Sequence, residues 1–180
     1  IITFITNILS HLILMKKDLK ILRLNILNED QMLNLAYMLA PHLPKSGALL
    51  IDGSVGSGKT FLCRHLIQAK QQLEINHFED VPSPTFTLVQ TYNFNSLEIW
   101  HCDLYRIKNN EELFELGLEE GFQNALCLIE WPDKLKGLKI DGVAHLRINT
   151  NSTHSERELH FHSDSSRWKK FSKLFESIKF

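Results

Sequence analysis

The residues best suited to chemistry form one short stretch, 53–60, which reads G-S-V-G-S-G-K-T. It matches the phosphate-binding loop G-x-x-x-x-G-K-[ST] at every fixed position. The glycines let the backbone turn tightly, so that successive N–H groups point at phosphate oxygens. Lys59 is expected to reach the β- and γ-phosphates, and the Thr60 hydroxyl to bind Mg²⁺. The residues predicted to hold a nucleotide through this loop are Val55, Gly56, Ser57, Gly58, Lys59 and Thr60.

Two elements must position this loop. Residues 48–51 are a short apolar run, which is typical of a buried parallel strand. From Lys59 onward apolar residues recur at helical spacing, which predicts a helix whose N-terminus adds positive charge beside the loop. Upstream, residues 20–27 indicate a first strand, and Asn28 followed by acids predicts a capped helix. We expect Glu29, in the first turn of that helix, to lie near the adenine.

Asp103 and Glu130 are the acids best placed to support a metal ion, and with Lys59 they form the predicted catalytic set. Glu130 follows the apolar run 125–129, and Asp103 ends a more polar strand. Both carboxylates are expected at the sheet edge that carries the phosphate loop. Because Mg²⁺ takes few direct protein ligands, Thr60 and one carboxylate suffice. We predict that Glu130 lies near the metal, directly or through water, while Asp103 lies behind it or orients the attacking water.

A loop rich in hydroxyl groups follows the phosphate-loop helix. Residues 81–89 read V-P-S-P-T-F-T-L-V, and the prolines predict a stiff, exposed loop that runs into a strand. Ser83, Thr85 and Thr87 are interpreted as a switch loop, which orders when a γ-phosphate and Mg²⁺ are present. A plain connecting loop explains the spacing equally well.

Length and composition suit one domain. The chain has 180 residues, 43% of them hydrophobic, and a formal net charge of −1, which argues against a protein that grips nucleic acid by itself. Residues 1–14 are interpreted as a non-native or disordered extension, and 15–180 as the domain. Cys63, Cys102 and Cys127 are expected to be buried thiols. His101 and Cys102 are adjacent, so on a strand they point to opposite faces and are not expected to share a metal.

The rest of the pattern predicts an α/β fold, a single P-loop NTPase-like domain with a mostly parallel central sheet flanked by helices. Asn109 and Asn110 begin a short helix that ends at Gly117. Residues 143–148 and 156–162 are expected to form antiparallel C-terminal strands. An amphipathic helix with Phe171 and Phe175 on its apolar face is expected to close the core.

The ordered set of motifs resembles the TsaE (YjeE) family. It comprises the phosphate loop, S-P-T-F-T-L-V (83–89), H-C-D-L-Y-R (101–106), E-E-L-F-E-L-G (111–117) and L-I-E-W-P (128–132). The resemblance implies a weak, cytoplasmic, Mg²⁺-dependent ATPase required for threonylcarbamoyladenosine in tRNA. It implies ATP and Mg²⁺ as cofactors and TsaD and TsaB as partner proteins, with tRNA met only through their complex and no membrane. It also places Trp131 near the nucleotide.

Some positions depart from the family pattern and leave other functions open. Ser54 stands where the family usually has an acidic residue. Ser57 replaces the usual Ala, and Phe61 stands where a second Thr is common. Phosphate binding should survive these changes, because it rests on backbone groups, Lys59 and Thr60. A small-molecule P-loop kinase would need a lid with clustered arginines, which 104–120 lacks. A GTP switch would need a guanine-reading N-K-x-D motif. A non-hydrolysing nucleotide-sensing subunit remains an alternative because of Ser54.

Overall fold

The computed structural model describes residues 20–75, 79–135, 138, 140–151 and 156–180. The extension predicted at 1–14 lies outside these residues. Across the described ranges, no helix combines the length and apolar character that crossing a membrane requires.

A single mixed sheet forms the centre of the molecule. Its strands are β1 (Leu22–Ile26), β2 (Gly47–Gly53), β3 (Val89–Asn93), β4 (Glu98–Asp103), β5 (Leu126–Glu130), β6 (Val143–Thr150) and β7 (Arg157–His162). Their order across the sheet is β1-β7-β6-β2-β5-β4-β3. The inner strands β6, β2, β5 and β4 run parallel to one another, and the outer pairings are antiparallel. The predicted α/β fold with a mostly parallel centre is confirmed.

The C-terminal strands β6 and β7 pair antiparallel, as predicted. The structure adds that β6 also pairs parallel with β2, the strand that ends in the phosphate loop. Ile148 of β6 therefore lies beside Gly53. Through β6, the start of β7 comes close to the phosphate loop.

Helices cover both faces of the sheet. They are α1 (Glu29–Leu39), α2 (Lys59–Glu74), α3 (Asn110–Glu115), α4 (Leu118–Asn124) and α5 (Lys169–Ser177). One core contains side chains of α1, α2 and α5, among them Met32, Leu66 and Phe171. A second core, on the other face, contains Leu113 and Phe122 of α3 and α4. These two cores hold the phosphate-loop strand between layers.

The helix α1 begins as the sequence predicts. The Asn28 side chain accepts a hydrogen bond of 2.9 Å from the Gln31 backbone N–H. In return, the Gln31 side chain accepts one of 2.8 Å from the Leu27 N–H. This reciprocal cap satisfies two backbone donors and fixes the first turn, which carries Glu29.

Gly117 ends α3 as predicted, but it also begins α4, a separate helix that the sequence analysis did not distinguish. Its φ of +66° is a left-handed conformation that glycine adopts without strain. This residue lies between α3 and α4, and α4 packs on β2 and β5 of the sheet. A Cβ on Gly121 of α4 would lie 2.9 Å from the Trp100 ring, so this close approach requires glycine.

Candidate functional site

The phosphate loop connects the end of β2 to the start of α2. Gly53 has φ +155° and Gly58 has φ +104°, both in the region that favours glycine. A Cβ on Gly53 would lie 2.6 Å from the Ile148 carbonyl oxygen and 2.7 Å from Ser57 Oγ. The loop is therefore held against β6 at a distance that only glycine permits.

A cavity of about 280 Å³ opens beside the loop at the N-terminus of α2. Its lining residues are Glu29, Met32, Gly56, Gly58, Lys59, Thr60, Phe61, Glu130 and Arg157. The predicted residue Glu29 thus shares one cavity with the predicted phosphate ligands. Of the other predicted nucleotide ligands, Val55 is 69% exposed on the loop and Ser57 is buried beneath it.

Arg157 is a member of this cavity that the sequence analysis missed. It is the first residue of β7, and its Nε donates a 2.9 Å hydrogen bond to the Ser57 carbonyl oxygen of the loop. The contact spans a sequence separation of 100 residues. No local pattern could have revealed it, because it depends on the parallel pairing of β6 with β2.

Lys59 is nearly buried, with 5% of its surface exposed. Its Nζ donates hydrogen bonds of 2.8 Å to the Gly53 carbonyl and 2.9 Å to the Ser54 carbonyl. Burial lowers the pKa of Lys59, and the nearby carboxylates of Glu130 and Asp103 oppose that shift. The ammonium also lies 3.9 Å from the centre of the Trp131 ring, a cation–π distance.

Trp131 adopts a left-handed conformation with φ +61°, which is uncommon for a residue with a Cβ. Its ring packs against that of Tyr105, with 4.9 Å between centroids. Trp131 therefore covers the lysine rather than lining the cavity. The family resemblance implies that Trp131 lies near the nucleotide, and the structure places it at the lysine that is predicted to bind phosphate.

Glu130 lies at the centre of the site and is 1% exposed. Its Oε2 accepts a 2.8 Å hydrogen bond from the Thr60 hydroxyl. Its Oε1 lies 2.9 Å from Nε2 of His101, a second residue that the sequence analysis did not assign to the site. A signal was present, because strand alternation puts residues 101 and 103 on one face of β4.

Asp103 is also buried, at 3% exposure, and its partners belong to the predicted switch loop. Oδ2 accepts a 2.7 Å hydrogen bond from the Thr85 hydroxyl, and Oδ1 accepts one of 3.0 Å from the Tyr105 N–H. Ser83 Oγ lies 2.7 Å from Thr85 Oγ1. A chain of hydrogen bonds therefore links Ser83 through Thr85 to Asp103. Thr87 is exposed, and its backbone carbonyl accepts a hydrogen bond from Val89.

The neighbours His101 and Cys102 separate as predicted. His101 faces Glu130, whereas Cys102 is buried in the core on the opposite face of the sheet. Cys63, His101 and Glu130 bring potential ligand atoms within 4.8 Å of one another. Burial raises the pKa of the Cys63 thiol well above its ordinary range, and the nearby Glu130 carboxylate raises it further.

A larger cavity, about 430 Å³, lies away from the phosphate loop. It is lined by side chains of β2, β6 and β7, including Asp52, Arg147 and His160, and by the turn at Asp133. Arg147 pairs with Asp52 at 2.8 Å. The lining of this larger cavity includes none of the predicted site residues.

The model for the family "Threonylcarbamoyl adenosine biosynthesis protein TsaE" matches residues 26–159. The proteins named "tRNA threonylcarbamoyladenosine biosynthesis protein TsaE" from two Rickettsia species are among the relatives. That of Rickettsia felis is 42% identical over 115 residues, covering 62% of this chain and 63% of the relative. That of Rickettsia bellii is 43% identical over 114 residues, covering 63% of this chain and 76% of the relative.

More distant relatives show the same likeness. The protein of that name from Bacillus subtilis is 31% identical over 114 residues, covering 63% of this chain and 68% of the relative. The crystal structure of Bacillus subtilis YdiB superposes with a TM-score of 0.69 at 22% identity, covering 87% of this chain and 95% of that one. The structural match confirms the α/β fold.

Proposed function

The chain belongs to the TsaE family, and from that premise we propose that it binds and hydrolyses ATP to support threonylcarbamoyladenosine formation in tRNA. The names of its relatives support the pathway. The phosphate loop and the buried acids beside it support the nucleotide chemistry. Because the match covers 63% of the Rickettsia felis protein, the activity of the whole protein is part of this proposal.

The observation that carries the proposal is the 2.8 Å hydrogen bond between the Thr60 hydroxyl and Glu130. It joins the start of α2 to the end of β5, and the two groups offer the oxygen ligands that Mg²⁺ prefers. A carboxylate that is 1% exposed is costly without compensating charge or hydrogen bonds. The donor set therefore fits Mg²⁺, with Thr60 and Glu130 holding it directly or through water. The metal supplies charge neutralisation on the transferred phosphoryl group.

The loop and its surroundings fit a nucleotide. Val55, Gly56, Ser57 and Gly58 offer backbone N–H groups to the phosphates, at the positive end of α2. When a nucleotide is bound, Lys59 would exchange its carbonyl partners, Gly53 and Ser54, for the β- and γ-phosphates. Glu29 and Arg157 line the same cavity, and we assign them to the nucleoside or α-phosphate end.

Asp103 and the switch loop form the second half of the mechanism. The Thr85 hydroxyl bonds Asp103, so the position of the loop containing Ser83, Thr85 and Thr87 depends on this carboxylate. We assign Asp103 to orienting the attacking water or to supporting the metal from behind. Movement of the loop then reports to partner proteins whether the γ-phosphate is present.

The partners are proposed to be TsaD and TsaB, in the cytoplasm. A net charge of −1 offers no strong electrostatic attraction for RNA, so tRNA is met only through that complex. ATP turnover serves the complex, which explains why the chain alone would be a weak ATPase. A non-hydrolysing sensor of ATP is the alternative that Ser54 favours.

Reconstitution tests the proposal. The purified chain would be mixed with TsaD, TsaB, tRNA and a threonylcarbamoyl donor, and threonylcarbamoyladenosine would be measured by mass spectrometry with and without ATP. Lys59→Ala should abolish ATP-dependent product formation. Lys45→Ala is the matched control, because this exposed lysine precedes the opposite end of β2. Equal product from wild type and Lys59→Ala would contradict the proposal.

A further inference from the structure

His101 is an imidazole with no exposed surface, in strand β4, which lies between β5 and β3. Its Nε2 lies 2.9 Å from Glu130 Oε1. Within the described residues, its Nδ1 has no hydrogen-bond partner. A buried polar ring with one ring nitrogen unpaired is costly to the fold, so packing alone does not explain a histidine here.

We propose that His101 is a positioning residue, which holds the Glu130 carboxylate in the orientation that serves Thr60 and Mg²⁺. This inference rests on the proposed function, because it concerns the same metal-supporting carboxylate. His101 acts through Glu130 and makes no contact with the nucleotide.

The hydrogen-bond inventory of the carboxylate supports this role. An ionised carboxylate only accepts hydrogen bonds, so this role requires the proton of the His101 ring on Nε2. Oε2 is fixed by Thr60 from α2, and Oε1 by His101 from β4. Because each oxygen has a donor from a different rigid element, the carboxylate cannot rotate about its terminal bond. The remaining lone pairs are left for a metal ion or its bound water.

Strand register explains why the contact forms. His101 is the register partner of Leu128, and Asp103 that of Glu130. Glu130 therefore lies diagonally across from His101, on the same face of the sheet. A long side chain at 130 and a donor at 101 as far from its backbone as Nε2 can bridge this diagonal.

The experiment compares two amides at position 101. The side-chain amide of His101→Gln places an N–H donor near the position of Nε2, whereas that of His101→Asn lies near Nδ1 and does not reach Glu130. ATP affinity would be measured by calorimetry in Mg²⁺ and in EDTA, and the Mg²⁺ gain taken as the ratio. Removing an outer-shell partner typically weakens metal affinity about 10- to 100-fold, so His101→Asn should lose that much of the gain. His101→Gln should keep most of it, and affinity in EDTA should be unchanged in both.

The same substitutions in a Glu130→Gln background test whether His101 acts through Glu130. Glu130→Gln should remove the Mg²⁺ gain, and adding His101→Asn should cause no further loss. If Glu130→Gln loses the gain while His101→Asn keeps it, the positioning role is wrong and the metal role of Glu130 stands. If Glu130→Gln keeps the full gain, the metal role fails and the positioning role with it. If His101→Asn loses as much ATP affinity in EDTA as in Mg²⁺, the role of His101 is merely structural and the inference is overturned.

A measurement on the nucleotide-free wild type covers the case in which a variant fails to fold. The nitrogen chemical shifts of the His101 ring report which nitrogen carries a proton. We expect a protonated Nε2, hydrogen-bonded to Glu130. A ring protonated only at Nδ1 would overturn the proposal, because a bare Nε2 cannot donate to a carboxylate.

Discussion

Asp103 and Glu130 are register partners on the neighbouring parallel strands β4 and β5. Their hydroxyl partners nevertheless come from different segments. Glu130 accepts from Thr60 of the phosphate loop, and Asp103 accepts from Thr85 of the predicted switch loop. Two acids side by side at one sheet edge thus serve two different elements, which predicts that their substitutions have different effects.

Glu130→Gln should weaken the dependence of nucleotide binding on Mg²⁺, because it removes the charge opposite Thr60. Asp103→Asn should spare nucleotide binding and lower the turnover stimulated by partner proteins, because it alters the bond to Thr85. Nucleotide titration with and without Mg²⁺, followed by Trp131 fluorescence, measures the first effect, and phosphate release the second. If Asp103→Asn loses the Mg²⁺ effect while Glu130→Gln keeps it, the two roles must be exchanged.

Arg157→Ala should lower nucleotide affinity to a similar extent with and without Mg²⁺. The guanidinium is anchored on the Ser57 carbonyl and faces the cavity, so its loss removes a charged donor but not the metal site. The expected cost is about 1.5–3 kcal/mol, the usual range for a hydrogen bond to a charged group. Calorimetry with ATP measures it, and Arg147→Ala, outside this cavity, is the control. An unchanged affinity in Arg157→Ala would remove this residue from the site.

Sequence patterns identified the phosphate loop, the cap at Asn28 and the strands that come before and after Asp103 in the chain. Each of these depends on residues that are neighbours in the sequence. They did not reveal Arg157 or the parallel partner of β6, because these depend on which strands meet in space. Gly117 shows a third limit. A glycine that ends one helix was predicted, but not that the same left-handed residue precedes α4, a second helix that packs on Trp100 through Gly121.

The acids illustrate how far the site itself was predictable. Their placement at one sheet edge follows from strand ends alone, and the register of β4 and β5 agrees with it. The partner of each acid required coordinates, since Thr60 and Thr85 are equally plausible neighbours of either. His101 could have been assigned to the site from the sequence, because the alternation of side chains along a strand places it on the same face as Asp103.

The three cysteines are expected to be unreactive in the folded protein. All of them are free and buried, as predicted from the sequence. Burial raises the pKa of Cys127 to about 12 and that of Cys63 and Cys102 well above their ordinary value. A disulfide reagent at pH 8 should therefore label the protein in guanidinium and leave the native protein unlabelled. Rapid labelling of the native protein would show that this core opens easily.

Stability should fall as the pH drops below about 6.5, the ordinary histidine value. The rings of His145 and His162 are stacked, with 4.6 Å between centroids. Partial desolvation lowers the pKa of both rings, of which His145 is the more exposed, and the charge of His162 lowers that of His145 further. A lowered pKa means that the unfolded chain binds more protons in this window, so unfolding becomes easier as acid is added. Urea unfolding at pH 7 and at pH 5.5 measures the effect.

The double variant His145→Gln/His162→Gln is the control for that pH effect. Amides do not titrate, so its loss of stability over the same pH window should be smaller than in wild type. If both proteins lose stability equally, other groups carry the acid sensitivity.

Phosphate release from ATP shows whether the chain hydrolyses the nucleotide and whether its partner proteins stimulate the reaction. It would be measured for the chain alone, for TsaD with TsaB, and for the three together, each with Mg²⁺ and with EDTA. We expect slow Mg²⁺-dependent release from the chain alone and faster release from the three together. Lys59→Ala should abolish both. Tight ATP binding without phosphate release from the three proteins together would contradict ATP hydrolysis by this chain and favour a non-hydrolysing sensor.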